Sequence, residues 1–191
     1  MKQNKSTMTT KLIVYCALFA ALAAVLGQLF AFRPAPHMKF TLDKFTLFLS
    51  GMFFGPLAGG MTGLVAEFAG GNLLGQGFTP WLCGPAVLYG VAGGIFQGML
   101  KKNFTIPRLA FAYFFPTFLA ALLLQSAALA WTYNAASFWE AFCTNLMFRS
   151  IQFSIMWVLE VAIIYFLIHS NLFARAGLWP MTKKKKEDES K

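Results

Sequence analysis

Three ionisable side chains stand inside otherwise apolar stretches of this 191-residue chain: Glu67, Arg149 and Glu160. A charge held at membrane depth is costly, so it faces a cavity or a partner. Arg149 has the chemistry of an anion receptor, because a guanidinium fork matches both oxygens of a carboxylate. The competing reading is an arginine whose stem lies in lipid while its head snorkels to the interface. Glu160 follows Arg149 by eleven residues, about three helical turns, so the two share a face. They lie roughly 16 Å apart along the axis, too far to pair directly. Glu160 is therefore expected to pair with another helix rather than with a ligand, and Glu67 to act as a structural charge that tethers helices or loops.

Other chemistry is sparse. Phe78, Trp81, Trp131, Tyr133 and Trp139 gather near the ends of apolar runs. There they form an interfacial aromatic belt or offer flat faces for a ringed ligand to stack on. No glycine-rich phosphate loop follows a strand, and no Ser/His/Asp set is evident. The two histidines, His37 and His169, fall at opposite membrane faces, so the sequence predicts no catalytic pair and no enzyme. Cys16, Cys83 and Cys143 lack metal-ligand spacing and are odd in number, which favours buried thiols; no metal or cofactor is expected. A channel would need a polar stripe through several helices, and only scattered Gln28, Gln97, Gln125 and Asn145 are available.

The elements that position these residues are apolar helices. The chain is 58% hydrophobic and 12% charged, half the charge of a soluble domain. Leu12–Phe32 runs 21 residues without a charge and Leu109–Trp139 runs 31; a crossing helix needs about 20. The first run is too long for a signal peptide and lacks a cleavage site, so it reads as a retained helix. Six helices are predicted: Leu12–Phe32, Phe45–Phe54, a third from Pro56 to about Gly70, then Trp81–Leu100, Leu109–Tyr133 and Ala141–His169. The Gly55-Pro56 pair separates the second from the third. The stretches Arg33–Lys44 and Gly70–Pro80 (GGNLLGQGFTP) read as loops. The domain layout is a segment 1–11, a six-helix substrate-binding domain 12–169 and a basic tail 170–191.

Charge orients this all-α membrane protein. With both termini cytoplasmic, 12 of the 16 lysines and arginines lie inside, as the positive-inside bias requires. Arg33, Lys39 and Lys44 are left outside. The net charge of +9 thus expresses topology and not nucleic-acid binding, and the Lys183–Lys186 run suits the anionic lipid of the bilayer. On the first helix Ala17, Ala21 and Ala24 recur at close to helical spacing, small residues that let another helix approach.

The stretch KFTLDKFTLFLSGMFFGPLAGGMTGLVAEFAGG (Lys39–Gly71) resembles the second and third helices of substrate-binding (S) components of energy-coupling factor (ECF) vitamin transporters, folate-type members above all. Lys39, Phe40, Leu49, Gly51, Gly55, Pro56, Gly59 and Gly63 match the pattern, and Glu67 stands where an aspartate is usual. ALFAALAAVL is similar to the family's first helix, GFTPWLCGPAVLYGVAGGIFQG to the loop entering the fourth, and TNLMFRSIQFSIMWVLEVAIIYFLI to the last, which carries an arginine at Arg149. The departures are Gln28 for an arginine, Lys44–Thr46 for the usual Ile-Pro, and a fifth helix whose Asn-Thr-Leu-Trp run survives mainly as Trp131.

The resemblance implies a vitamin-binding subunit in a bacterial cytoplasmic membrane. It would deliver substrate to a transmembrane scaffold subunit energised by two ATPases, with Ala17, Ala21 and Ala24 as the scaffold-docking face. Folate is the first substrate it suggests, with a queuosine precursor, pantothenate or a riboflavin-like molecule behind it. An unrelated small channel or membrane enzyme is the other class. The candidate substrate-binding residues are Lys39, Phe78, Trp81, Trp131, Asn145 and Arg149, placing the site in the outer half of the bundle.

Overall fold

The computed structural model describes residues 5–28, 31–35, 38–73, 80–102, 104–127, 130, 138–170 and 173. The long uncharged start of the chain forms α1 (Lys5–Gln28). The helix stops four residues short of the expected Phe32, which instead opens β1 (Phe32–Ala35). This strand pairs antiparallel with β2 (Met38–Phe40), Phe32 opposite Phe40. Pro34 cannot donate to a ladder, and a two-stranded ribbon consists only of edges, where that loss is tolerated. Part of the Arg33–Lys44 stretch expected as a loop is thus paired as two short strands, the one sheet among the described residues.

α2 (Lys44–Phe54) and α3 (Pro56–Leu73) are divided where the sequence predicts. Gly55 closes α2 at φ +99°, a conformation costly for any residue with a Cβ, and Pro56 starts the next helix. α4 (Pro80–Ile95) and α5 (Gln97–Lys102) meet at Phe96. Bonds from Phe96 N to Ala92 O and from Leu100 N to Phe96 O, both 3.0 Å, carry the helical pattern across the junction. α6 (Ile106–Pro116) runs directly into a π-helical stretch, Thr117–Leu124. The final helix, α7 (Phe138–His169), has 32 residues.

Backbone approach holds α2, α3 and α4 together. A Cβ added at Gly51 would overlap the Gly90 carbonyl, and one at Gly90 would overlap the Gly59 carbonyl. The motif glycines are therefore places where helices touch main chain to main chain, as small residues permit in membranes. Between α2 and α3, Ser50 donates to Thr62 (2.9 Å) and Thr62 to Ala58 O (2.8 Å), so buried hydroxyls are satisfied. Phe48 of α2 meets Tyr113 of α6 edge to face at 5.0 Å, and Tyr113 lies 5.6 Å from Tyr89 of α4.

The outside of this bundle is apolar. Leu57, Met61 and Phe68 on α3, Phe111, Phe114 and Phe115 on α6, and Ile151, Val158 and Phe166 on α7 are all more than half exposed. Patches of that extent do not face water in a soluble monomer. Among the described residues three helices are long and apolar enough to cross a membrane: Thr10–Gln28, Ile106–Ala127 and Arg149–His169.

Candidate functional site

α7 turns a continuous stripe inward: Arg149, Gln152, Met156, Glu160, Ile164 and Ile168 are all buried. Toward His169 the stripe is apolar and fills the core; toward Phe138 it is polar. Arg149 is 4% exposed, so it lies in the interior and does not snorkel. Its guanidinium sits 5.8 Å from the centre of the Phe153 ring, and its Nε has no hydrogen-bond partner. Ionised groups are rarely buried without a partner, since desolvation costs several kcal/mol. A group in that condition is built to receive something.

Glu160 lies deeper. Tyr113 donates its hydroxyl to Glu160 Oε2 at 2.7 Å, joining α6 to α7, while Oε1 has no partner. This bond registers the two antiparallel helices: Arg149 lies about 16 Å outward of it along α7. α2 begins only one turn outward of Phe48, which touches the same tyrosine, and its 11 residues span about 16 Å, half the hydrocarbon core. α2 thus stops short of Arg149, and β2 packs against α7 instead. At the Arg149 end of α7 the hairpin packs where, at the Glu160 end, α2 fills the bundle.

A charged cluster joins the start of α2 to α3. Lys44 Nζ lies 2.8 Å from Asp43 Oδ2 and 3.2 Å from Glu67 Oε1, with the lysine side chain 13% exposed. A Cβ at Gly27 would stand 3.2 Å from the Asp43 side chain, so the end of α1 packs onto this node. Lys44, counted from sequence among the outer loop cations, is instead a buried ion-pair partner. Unpartnered buried atoms also include Thr46 Oγ1 on α2 and Ser126 Oγ beyond the π-helical stretch.

The predicted residues fall as follows. Arg149 is buried in the interior. Lys39 lies on β2, Trp81 at the start of α4 and Asn145 one turn before Arg149 on α7; their side chains are outside what is described. Phe78 and Trp131 lie outside the described residues. Of the docking set, Ala17 and Ala21 are exposed, whereas Ala24 is 5% exposed beside buried Ala20 and Ala23 and packs within the bundle. Sequence reasoning missed Gln152, Thr46 and Ser126. Gln152 was within reach, being three residues beyond Arg149 on a single helix. Among the described residues no cluster of His, Cys, Asp or Glu could hold a metal ion.

Apolar outward faces around an interior that holds a buried arginine are the build of a membrane-embedded protein. The chain belongs to the family of ECF transporter substrate-specific components, whose family description matches residues 11–174. That family consists of substrate-binding parts of transporters and is not an enzyme family. The crystal structure of FolT bound with folic acid is similar to this fold, with a TM-score of 0.69 at 26% identity over 83% of this chain and 92% of that one. No curated protein matches the sequence.

Proposed function

We propose that this chain is the folate-binding component of an ECF-type importer. The observation that carries the reading is Arg149, a buried guanidinium without a counter-charge in a fold similar to FolT bound with folic acid. Folate has a planar ring at one end and carboxylates at the other. The guanidinium complements the carboxylates, and Trp81 and Trp131 are the stacking partners for the ring. Lys39, Phe78 and Asn145 complete the set around the hairpin and the outer end of α7. Six spans over 12–169 with both termini cytoplasmic, the basic tail 170–191 against lipid, a scaffold subunit and two ATPases complete the assembly. The outward alanines Ala17 and Ala21 are the scaffold-docking positions.

One observation favours a second reading, a different small vitamin or precursor. Lys44 and Glu67, both departures from the folate-type pattern, pair with each other between α2 and α3. Binding of radiolabelled folic acid to the purified protein in detergent, in competition with other vitamins, separates the two. Arg149→Ala is expected to weaken folic acid binding by ten- to a hundredfold, the equivalent of about 1.5–3 kcal/mol for a hydrogen bond to a charged group. Wild-type affinity in folded Arg149→Ala protein would remove the anion role.

A further inference from the structure

Ser126 and Thr46 are the two buried hydroxyls without a hydrogen-bond partner among the described residues, and Ser126 is the one that follows the π-helical stretch. On a helix, a buried serine or threonine ordinarily returns its hydroxyl to a carbonyl one turn back. Buried Thr117 does so to Tyr113 O at 2.7 Å and buried Thr62 to Ala58 O at 2.8 Å, and the exposed Thr144 and Ser154 bond in the same way. Ser126 is 0% exposed, yet its Oγ has no partner of any kind. In an apolar bundle such a group is placed against something that is not part of the chain.

The π-helical stretch explains how it comes to face inward. Thr117 and Ser126 are nine residues apart, and at 3.6 residues per turn they would lie on opposite sides of an α-helix. Both are buried, at 6% and 0% exposure, while Leu124 between them is 42% exposed. The wider i→i+5 turn of Thr117–Leu124 takes only about two turns to cover the distance. It brings Ser126 round to the face that carries Thr117, and turns Leu124 out.

Depth places it beside Arg149. From the Tyr113–Glu160 hydrogen bond, Arg149 lies about 16 Å outward along α7. Ser126 lies at most about 20 Å outward along α6, and less because the wide turn shortens the rise. The π-helical stretch and α7 pack against each other. Two inward-facing polar groups, a guanidinium nitrogen and a hydroxyl, therefore sit at one level on adjacent helices. Arg149 Nε and Ser126 Oγ each lack a hydrogen-bond partner, and they do not bond to each other.

We propose that Ser126 is a ligand-contacting residue, its hydroxyl donating to the anionic end of the bound substrate alongside Arg149. The ligand class rests on the folate reading above; the assignment of Ser126 to the site rests on its own geometry. The test compares wild-type and Ser126→Ala protein in two measurements, the dissociation constant for folic acid and the melting temperature without ligand. Ser126→Ala is expected to weaken folic acid binding roughly tenfold and to leave the ligand-free melting temperature unchanged or raised, since no internal bond is lost. Undiminished affinity overturns the proposal. So does a drop of several degrees in the ligand-free protein, which marks a structural hydrogen bond. If wild-type protein takes up no folic acid the folate reading fails, and the melting comparison still decides whether Ser126 is structural.

Discussion

Lys44→Met removes the cation that bridges Asp43 and Glu67 among the described residues. Removing one partner of a buried pair typically costs about 3–5 kcal/mol, because the remaining charge is uncompensated. Here Glu67 is 26% exposed and Asp43 10%, so water reaches the node from one side and the lower figure applies. For a chain of this size each kcal/mol shifts the melting temperature by about 2–4 °C, which gives a decrease of about 6–12 °C. Thermal denaturation in detergent, followed by loss of the monodisperse peak, measures it. Lys44→Met combined with Glu67→Gln removes one of the stranded charges and is expected to recover part of the loss. A single Lys44→Met variant that melts within a degree or two of wild type would refute the claim that this ion cluster holds α2 against α3.

Two further outcomes follow from the surface. Ala17→Trp and Ala21→Trp add bulk to outward positions that the bundle does not use, so folic acid binding should persist while uptake in cells expressing the complete transporter is lost; loss of binding with assembly intact would assign these alanines to internal packing. A tag fused after Lys191 should be protected in intact spheroplasts and labelled only after lysis, and labelling before lysis would overturn the six-span, both-ends-inside topology.

Whatever depended on one element and its own periodicity was legible in the sequence. The Gly55-Pro56 division, the apolar helices and the shared face of Arg149 and Glu160 follow from spacing alone, whereas spacing left open whether Arg149 turns inward or snorkels. The motif glycines were legible as a pattern but not as a cause. That Gly51 and Gly59 both meet Gly90 is a fact about three helices at once. Lys44 was misjudged for the same reason. A lysine beside an aspartate in a Pro-rich stretch reads as a surface charge until Glu67, 23 residues away, is brought to it. Ser126 was invisible because any helical count puts it on the lipid face, and no sequence signal announces a π turn. The end of α1 was misplaced because Phe32 is as apolar as the helix before it, and only pairing with Phe40 makes it a strand.

The main-chain contacts among α2, α3 and α4 have a mechanical consequence. Where helices meet through side chains, rotamer changes allow them to slide by an ångström or two; where carbonyl meets Cα there is no such play. These three helices therefore form a stiff slab. The compliance of the protein is concentrated opposite, where α6 and α7 meet their neighbours through rings, the Tyr113–Glu160 hydrogen bond and the hairpin. A bundle with one rigid wall and one yielding wall moves like a door on its frame, and the buried Arg149 and Glu160 are mounted on the door.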